Sequence, residues 1–515
     1  MPDTAALEPQ ADSSQRWPSD LDLANIRSDV SSFAEAHGVS VSPEDVRVAV
    51  APYRVCPLGA HVDHQGGCVL GVALDCGVLL GFVPTPNANP IYANGADRNE
   101  AETLSPTEVL LCSDAFAGDV RFDVRDPFDE VSGAINSEEN TEAEDSQLKS
   151  TNTWSAFARG AATVLADEFK NNKKTENKKL TSGCIGVARS FPIGVRMDGA
   201  GVSSSAAVTV AMLSAMRNVN GLDGSMDEEE EEEEEERDLF KSNSNWSLAK
   251  SARRVENEFV DVKCGILDQA SICLSRRNKL TVIDCAQRTH EHVRFGEQCT
   301  IRAGEAGRDV SQGDNKPEGG TEPYKILLAF SGLRKALTNT GYNGRVEECH
   351  EAASQLLQGD DTIKDATSSK NTLSDVSIPL YTSRRDTLPP SLRKRATHFF
   401  QEVERVRLGK NAWASGDLST FGKLMTKSGV SSVENYECGC TPMNALREIV
   451  CHTNGVYGGR FSGAGFRGCV VAICDSNLAE QAAESIVKEY QSKHPELAAD
   501  AKVLLANTGD GARVI

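Results

Sequence analysis

No C-x-x-C pair occurs among the fifteen cysteines of this chain, so neither a zinc ribbon nor a thioredoxin-like redox motif is spelled out. The nearest spacing, Cys438-Gly-Cys440, has no second ligand pair to go with it. An odd number of cysteines at irregular spacing points to reduced thiols and a reducing, cytoplasmic location. Long apolar runs are missing too. The longest, Cys68–Val83, is interrupted by Asp75 and is too short to span a bilayer. Met1–Asp20 has neither the apolar core of a signal peptide nor the basic character of a transit peptide, and reads as a disordered N-terminus. G-x-x-x-x-G-K-[ST] occurs nowhere, which excludes a P-loop NTPase at the level of motif. Basic excess is absent as well: a net charge of −21 argues against a nucleic-acid backbone or an anionic membrane as partner. No internal repeat is found.

What is present fits a soluble globular protein: 515 residues, 39% apolar and 25% charged, enough for two or three domains with a well-buried core. Nine of the negative charges sit in one block, Glu228–Glu236, which repels itself and is expected to stay solvated and disordered. Further polar inserts are read at 132–151, 170–179, 223–237, 303–322 and 359–375. Between them strand-like and helix-like blocks alternate. Val69–Phe82 reads as two apolar strands joined near Asp75 and Gly77, Tyr324–Phe330 and Cys469–Cys474 as strands, and Val208–Arg217, Leu248–Arg254, Arg393–Ala414 and Leu478–Gln491 as helices. The class is α+β. The best boundary is the 303–322 insert, which separates domains over 21–302 and 323–515.

Four segments carry candidate chemistry. In Gly199–Ala207 (GAGVSSSAA), glycines allow close backbone approach, and the run passes straight into a helix whose free N–H groups make an anion site. A serine N-cap on a buried helix is the plainer alternative. Arg54–Gly67 (RVCPLGAHVDHQGG) crowds Arg54, His61, Asp63 and His64 among glycines just before the two apolar strands, as at the polar edge of a pocket. A metal held by His61, Asp63 and His64 would lack a fourth well-spaced ligand. Glu256–Gln269 (ENEFVDVKCGILDQ) could supply a magnesium ligand and a catalytic carboxylate, or be solvated loop. Gly463–Gly468 (GAGFRG) fits G-x-G-x-x-G but leads into a strand rather than a helix. That context argues for a tight turn, or a wall beside a bound group, and against a dinucleotide fold.

In this order, the four segments resemble the signatures of the GHMP small-molecule kinases, galactokinase branch. Trp154–Gly160, Tyr342–Arg345, Glu348–Cys349 and Phe421–Met425 give lesser matches, and the resemblance spans roughly residues 45–475. It implies a two-domain fold: a ribosomal protein S5 domain 2-like N-terminal domain and a ferredoxin-like C-terminal domain. It also implies an ATP- and Mg²⁺-dependent sugar 1-kinase with a small-molecule sugar and ATP as partners, acting as a monomer. Carried over by position, Gly199, Gly201, Ser203, Ser204 and Ser205 would cradle the nucleotide phosphates. Trp154 would lie near the adenine. Ser205 and Glu256 would hold Mg²⁺, and Asp268 would face the anomeric hydroxyl, paired with Arg54. Ala60, His61, Asp63, Gly265 and Tyr342 would surround the sugar. The family's glutamate, which contacts the sugar 6-hydroxyl, is Ala60 here, and Arg467 stands where the family has glycine. Residues Val195–Asp198 are extra. These departures look like plant-type galacturonokinase, which implies a uronic acid as substrate. Arg467 would then attract a carboxylate or phosphate, or be an ordinary surface arginine.

Overall fold

The computed structural model describes residues 16–86, 104–115, 118–128, 153–171, 179–191, 201–222, 234–260, 263–297, 322–333, 341–358 and 371–515. The chain opens with α1 (Asp20–Ala36), β1 (Arg47–Val55), β2 (Cys68–Pro84), β3 (Glu108–Ser113) and β4 (Val120–Asp123). There follow α2 (Thr153–Asn171), β5 (Cys184–Ser190), α3 (Ser204–Val219), α4 (Glu234–Phe259), α5 (Leu267–Leu274), β6 (Lys279–Asp284) and β7 (Thr289–Arg294). The second half runs β8 (Tyr324–Phe330), α6 (Tyr342–Leu357), α7 (Ile378–Arg384), α8 (Pro390–Ala414), α9 (Leu418–Glu434) and α10 (Thr441–His452). It closes with β9 (Val456–Phe461), β10 (Cys469–Asp475), α11 (Ala479–Lys493), β11 (Lys502–Ala506) and β12 (Arg513–Val514).

The first sheet has the order β12-β1-β2-β5-β3-β4, with β6 and β7 attached through β2. The 69–82 segment is one strand, not two: β2 runs unbroken for 17 residues. Its first residues pair with Thr281–Asp284 of β6 and its last with β5, while β1 follows it along the other edge. Continuous pairing removes the reason to turn. The chain bulges here without turning: Pro52 pairs with Gly77 and Arg54 with Ala73, so two steps along β1 face four along β2, and the extra residues surround Asp75. Asp75 is absorbed by Asn507, whose backbone and side-chain amides donate to its carboxylate at 2.8 and 2.6 Å.

The second sheet, β11-β8-β10-β9, is antiparallel. In chain order it reads 4-1-3-2, with helices in the first and third connections, which is the ferredoxin-like arrangement. The two halves are not closed units. The terminal strand β12 returns to pair with β1, and one core cluster joins Leu58, Val62 and Leu70 of the first half to Phe399, Trp413 and Phe421 of the second. Both the core and, through β12, the first sheet therefore draw on residues from either side of 303–322.

Helix α3 explains its own placement. Ten of its residues, Ala206–Ala207 and Thr209–Met216, are buried, and small alanines let α2, α4, β1 and β2 close in on it. Burying Met212, Leu213 and Met216 contributes about 1.5–3 kcal/mol each, which fixes where the helix starts. Glu234–Glu236 of the acidic block begin α4, whereas Glu228–Glu233 lie outside the described residues, as does most of every other insert. Leu373–Asp375, at the end of the 359–375 insert, form a 3₁₀ turn. Every described cysteine is a free thiol. Among the described residues no helix is long and apolar enough to cross a membrane.

Candidate active site

Three of the four sequence segments meet at one carboxylate. Arg54 stands at the end of β1, 3% exposed, and its Nε and Nη2 donate to Asp268 Oδ1 at 2.9 and 2.6 Å. Asp268 lies in the first turn of α5. Its other oxygen, Oδ2, accepts from Ser203 Oγ at 2.6 Å. The Arg54 amide donates to Val202 O at 3.2 Å, tying the strand to the glycine-serine loop through the backbone as well. Burial opposes the charge on Arg54 most strongly, but Asp268 together with Cys56 and Asp63 outweighs it and holds its pKa above the ordinary value.

Ser203 occupies the N-cap position of α3 with φ 59° and makes no side-chain cap. Left-handed backbone in a non-glycine residue costs on the order of 1 kcal/mol or more, and here it turns the hydroxyl toward Asp268. The plainer N-cap reading is thus half right: a serine sits there, yet the cap is not made. The Ser203 hydroxyl is therefore engaged by Asp268 and not by the amides of its own helix. Ser204 opens the helix, and Gly199 lies outside the described residues. The fourth segment closes the far side. Ser462 Oγ donates to Gly201 O at 2.5 Å, and a Cβ on Gly201 (φ +82°) would come within 2.6 Å of Ser462 O. Gly463–Gly468 form the turn between the antiparallel β9 and β10, a wall against the loop and not a dinucleotide fingerprint. Arg467 is partly exposed in that turn.

Glu256 lies near the C-terminal end of α4, a helix that starts well before the expected Leu248 and ends after Glu256. It is 4% exposed and its Oε1 has no hydrogen-bond partner in the structure. Its Oε2 accepts from the Cys264 thiol at 3.6 Å. Burial, with the charge of Asp268, pushes Glu256 up to about 7, and hydrogen bonds from Cys264 and Ser205 pull the other way. Oxygen ligands with an open lone pair, one carboxylate and one hydroxyl, suit a hard divalent cation. No cluster of three or more His, Cys, Asp or Glu ligands exists among the described residues, so His61, Asp63 and His64 do not make a metal site.

Asp63 Oδ2 accepts from the Leu267 amide at 3.2 Å. Burial, then the Asp268 charge, raises its pKa. Position 265 must be glycine, because a Cβ there would lie 2.0 Å from Asp63 Oδ2. His61 stacks on Tyr436 with ring centroids 4.3 Å apart and planes 3° from parallel. Tyr342 lies 6.2 Å from the same imidazole. His64 Nε2 lies 3.0 Å from Tyr436 Oη. Burial lowers both imidazoles, His64 to about 3, so both are neutral near pH 7. Trp154, expected beside the adenine, is instead 1% exposed in the main core. Packing accounts for that indole.

Sequence reasoning missed a second layer. Arg395, His398, Glu402 and Arg405 on α8 are 3%, 1%, 0% and 8% exposed. They recur at i, i+3, i+7 and i+10, the spacing of a core face. Charged residues at core spacing were the available signal. Burial alone would raise Glu402, but Arg405 and the other neighbouring groups outweigh it and bring it down to about 2. A carboxylate held down in the fold contributes stability above its unfolded value near 4.5 and loses it as pH falls toward 2. Acid unfolding of Glu402→Gln, followed by circular dichroism from pH 5 to 2, is therefore expected to be flatter by roughly 3 kcal/mol; an unchanged acid limb would contradict the assignment.

Comparison with known proteins shows the family. The model of the GHMP kinases C-terminal family matches residues 410–492. A galacturonokinase from Arabidopsis thaliana is 39% identical over 505 residues, covering 97% of this chain and 99% of that protein. A galactokinase from Lacticaseibacillus paracasei is 26% identical, covering 90% and 93% of the two chains. In three dimensions the chain is similar to Lactococcus lactis galactokinase, whose structure was solved with galactose, at a TM-score of 0.67 and 20% identity over 94% of this chain and 98% of that one. Identity of 39% over nearly the whole of both chains leads to one assignment: the chain belongs to the GHMP kinases, in the galactokinase-like branch of sugar kinases.

Proposed function

We propose that the protein is an ATP-dependent sugar 1-kinase that phosphorylates the anomeric hydroxyl of D-galacturonate. The observation that carries this reading is the Arg54–Asp268–Ser203 constellation, set against the uncapped start of α3. Phosphoryl transfer is mainly a matter of position and charge. Backbone N–H groups where α3 begins, after Gly201, cradle the nucleotide phosphates. Asp268 accepts the proton of the anomeric hydroxyl, or orients it, and Arg54 holds that carboxylate in place with two hydrogen bonds. Arg54 also offsets charge on the transferred group. His61 and Asp63 stand over the sugar hydroxyls, with Gly265 and Tyr342 beside them. The division of labour follows the two sheets, with nucleotide loop and base from 21–302 and the remaining sugar-site wall from 323–515. A monomer in the cytoplasm completes the proposal.

Ser205 and Glu256 would hold Mg²⁺, which when bound neutralises charge on the phosphates. The unpartnered Oε1 of Glu256 supports this. Glu256→Gln is expected to raise the Mg²⁺ concentration needed for half-maximal activity at least tenfold, roughly the range seen when metal-site partners are lost. A magnesium titration at saturating ATP and sugar reads it, and an unshifted midpoint would remove Glu256 from the site.

Galacturonate is favoured over galactose because Ala60 leaves the 6-position without the family's carboxylate. The near-full-length identity to a galacturonokinase supports the same choice. Parallel kinetics with galacturonate, glucuronate and galactose test it. A strong preference for galacturonate is expected; equal turnover of galactose would return the protein to the galactokinases.

A further inference from the structure

We propose that Glu402 and His398 are positioning residues that set how Ala60 and His61 meet the sugar, and so determine selectivity at carbon six. This rests on the sugar-kinase reading but goes beyond it. Both backbone polar groups of Ala60, its N–H and its C=O, are gripped by one helix. Glu402 Oε1 accepts from the Gly59 and Ala60 amides at 2.8 and 3.1 Å. His398 Nε2 lies 2.8 Å from Ala60 O, so it carries the proton and donates. The anchors are themselves held: Ser428 Oγ donates to Glu402 Oε1 at 2.7 Å and Arg405 Nε to Oε2 at 2.6 Å. His398 Nδ1 lies 3.0 Å from Ser431 Oγ and accepts from it.

A third contact fixes the start of the same turn. Arg460 on β9, 2% exposed, donates from Nη1 to Cys56 O at 2.7 Å. All of these groups come from the second half of the chain, while the turn they hold belongs to the first. His61 is the residue that needs such holding. It has φ 56°, a left-handed conformation that an unsupported imidazole-bearing residue would relax, and its ring depends on that backbone to stack on Tyr436. Because Ala60 has no side chain long enough to anchor itself, the position of the 60–61 peptide is set from outside. Charge-assisted bonds to a buried carboxylate are strong enough to do this.

The test separates positioning from folding. His398→Phe keeps the ring volume and removes the donor, while His398→Gln restores a donor near the same place. Kinetics are run with both galacturonate and galactose, and KM is compared on whichever the unaltered protein phosphorylates faster, so the clamp is tested apart from the substrate assignment. H398F is expected to raise the sugar KM about tenfold, the worth of one buried hydrogen bond. It should also narrow the ratio between the two sugars, with ATP KM within about twofold. H398Q should recover most of the loss. An unchanged sugar KM, equal rises in both KM values, or no recovery in H398Q would overturn the proposal. If H398F does not fold, as judged by thermal unfolding, Ser428→Ala carries the test. A rise in sugar KM alone would support the clamp and none would refute it. A preference for galactose in the unaltered protein, with the clamp effect intact, would overturn only the galacturonate reading.

Discussion

Asp268→Asn is expected to abolish phosphoryl transfer, lowering kcat by about a thousandfold or more, while nucleotide affinity stays largely intact. The substitution is nearly isosteric. It removes the proton acceptor at the anomeric oxygen and the countercharge of Arg54, whose two donors converge on Asp268 Oδ1. It also places an amide N–H where Oδ2 now accepts from Ser203, so that hydroxyl has to turn away. The loss of one preorganised electrostatic group in such a site costs about 3–4 kcal/mol. The nucleotide loop is held by other contacts, including Arg54 N to Val202 O and Ser462 Oγ to Gly201 O, which the change leaves alone. Stability should also fall, because Arg54 remains with 4% side-chain exposure and no carboxylate. Calorimetric titration with a nonhydrolysable ATP analogue distinguishes an inert folded protein from an unfolded one. Near-normal rates in the folded variant would remove Asp268 from its role.

Ala60→Glu is expected to undo part of the preference for galacturonate. At ~4 Å and an effective dielectric near 20, two carboxylates repel by about 4 kcal/mol, close to a thousandfold. That figure is the ceiling. Ala60 is 3% exposed, and its amide already shares the Glu402 carboxylate at 3.1 Å. An introduced glutamate must therefore find space beside a buried anion, and the turn gives a little to make it. A reversal of about 30- to 1,000-fold in the ratio of kcat/KM for galacturonate over galactose is the expected range. The gain for galactose should be smaller than the loss for galacturonate, because a restored 6-hydroxyl bond contributes only about 1 kcal/mol. An unchanged ratio would mean that the 6-position is recognised elsewhere.

Much of this was legible along the chain. The glycine-serine loop before a buried helix, the Arg54–Gly67 run and the Cys264–Gln269 run are local patterns. Each states its chemistry within about fifteen residues. Strand Tyr324–Phe330 and helices α8 and α11 also came from periodicity alone, since a segment's apolar spacing depends only on which face it buries. Other readings depended on neighbours. Whether 69–82 turns at Asp75 depends on β6, β5 and Asn507, which lie 100 to 430 residues away. Whether Ser203 caps its helix or holds Asp268 depends on where α5 falls. Trp154 was placed near the adenine by the family resemblance alone, and its burial depends on neighbours that the local sequence does not show.

By itself the sequence determined the residue types, the order of the four segments and the departure at Ala60, because these are covalent facts that persist however the chain is arranged. Only the tertiary structure decided which carboxylate Arg54 meets, and that Glu256 sits buried with an open oxygen. It alone decided that a face of α8, charged yet spaced like a core, grips the peptide at Ala60. The partners that Arg54 and the Ala60 turn find in Asp268 and α8 lie 214 to 343 residues away along the chain. Their energies come from burial and hydrogen-bond geometry, which depend on distance in space and leave no trace in spacing along the chain.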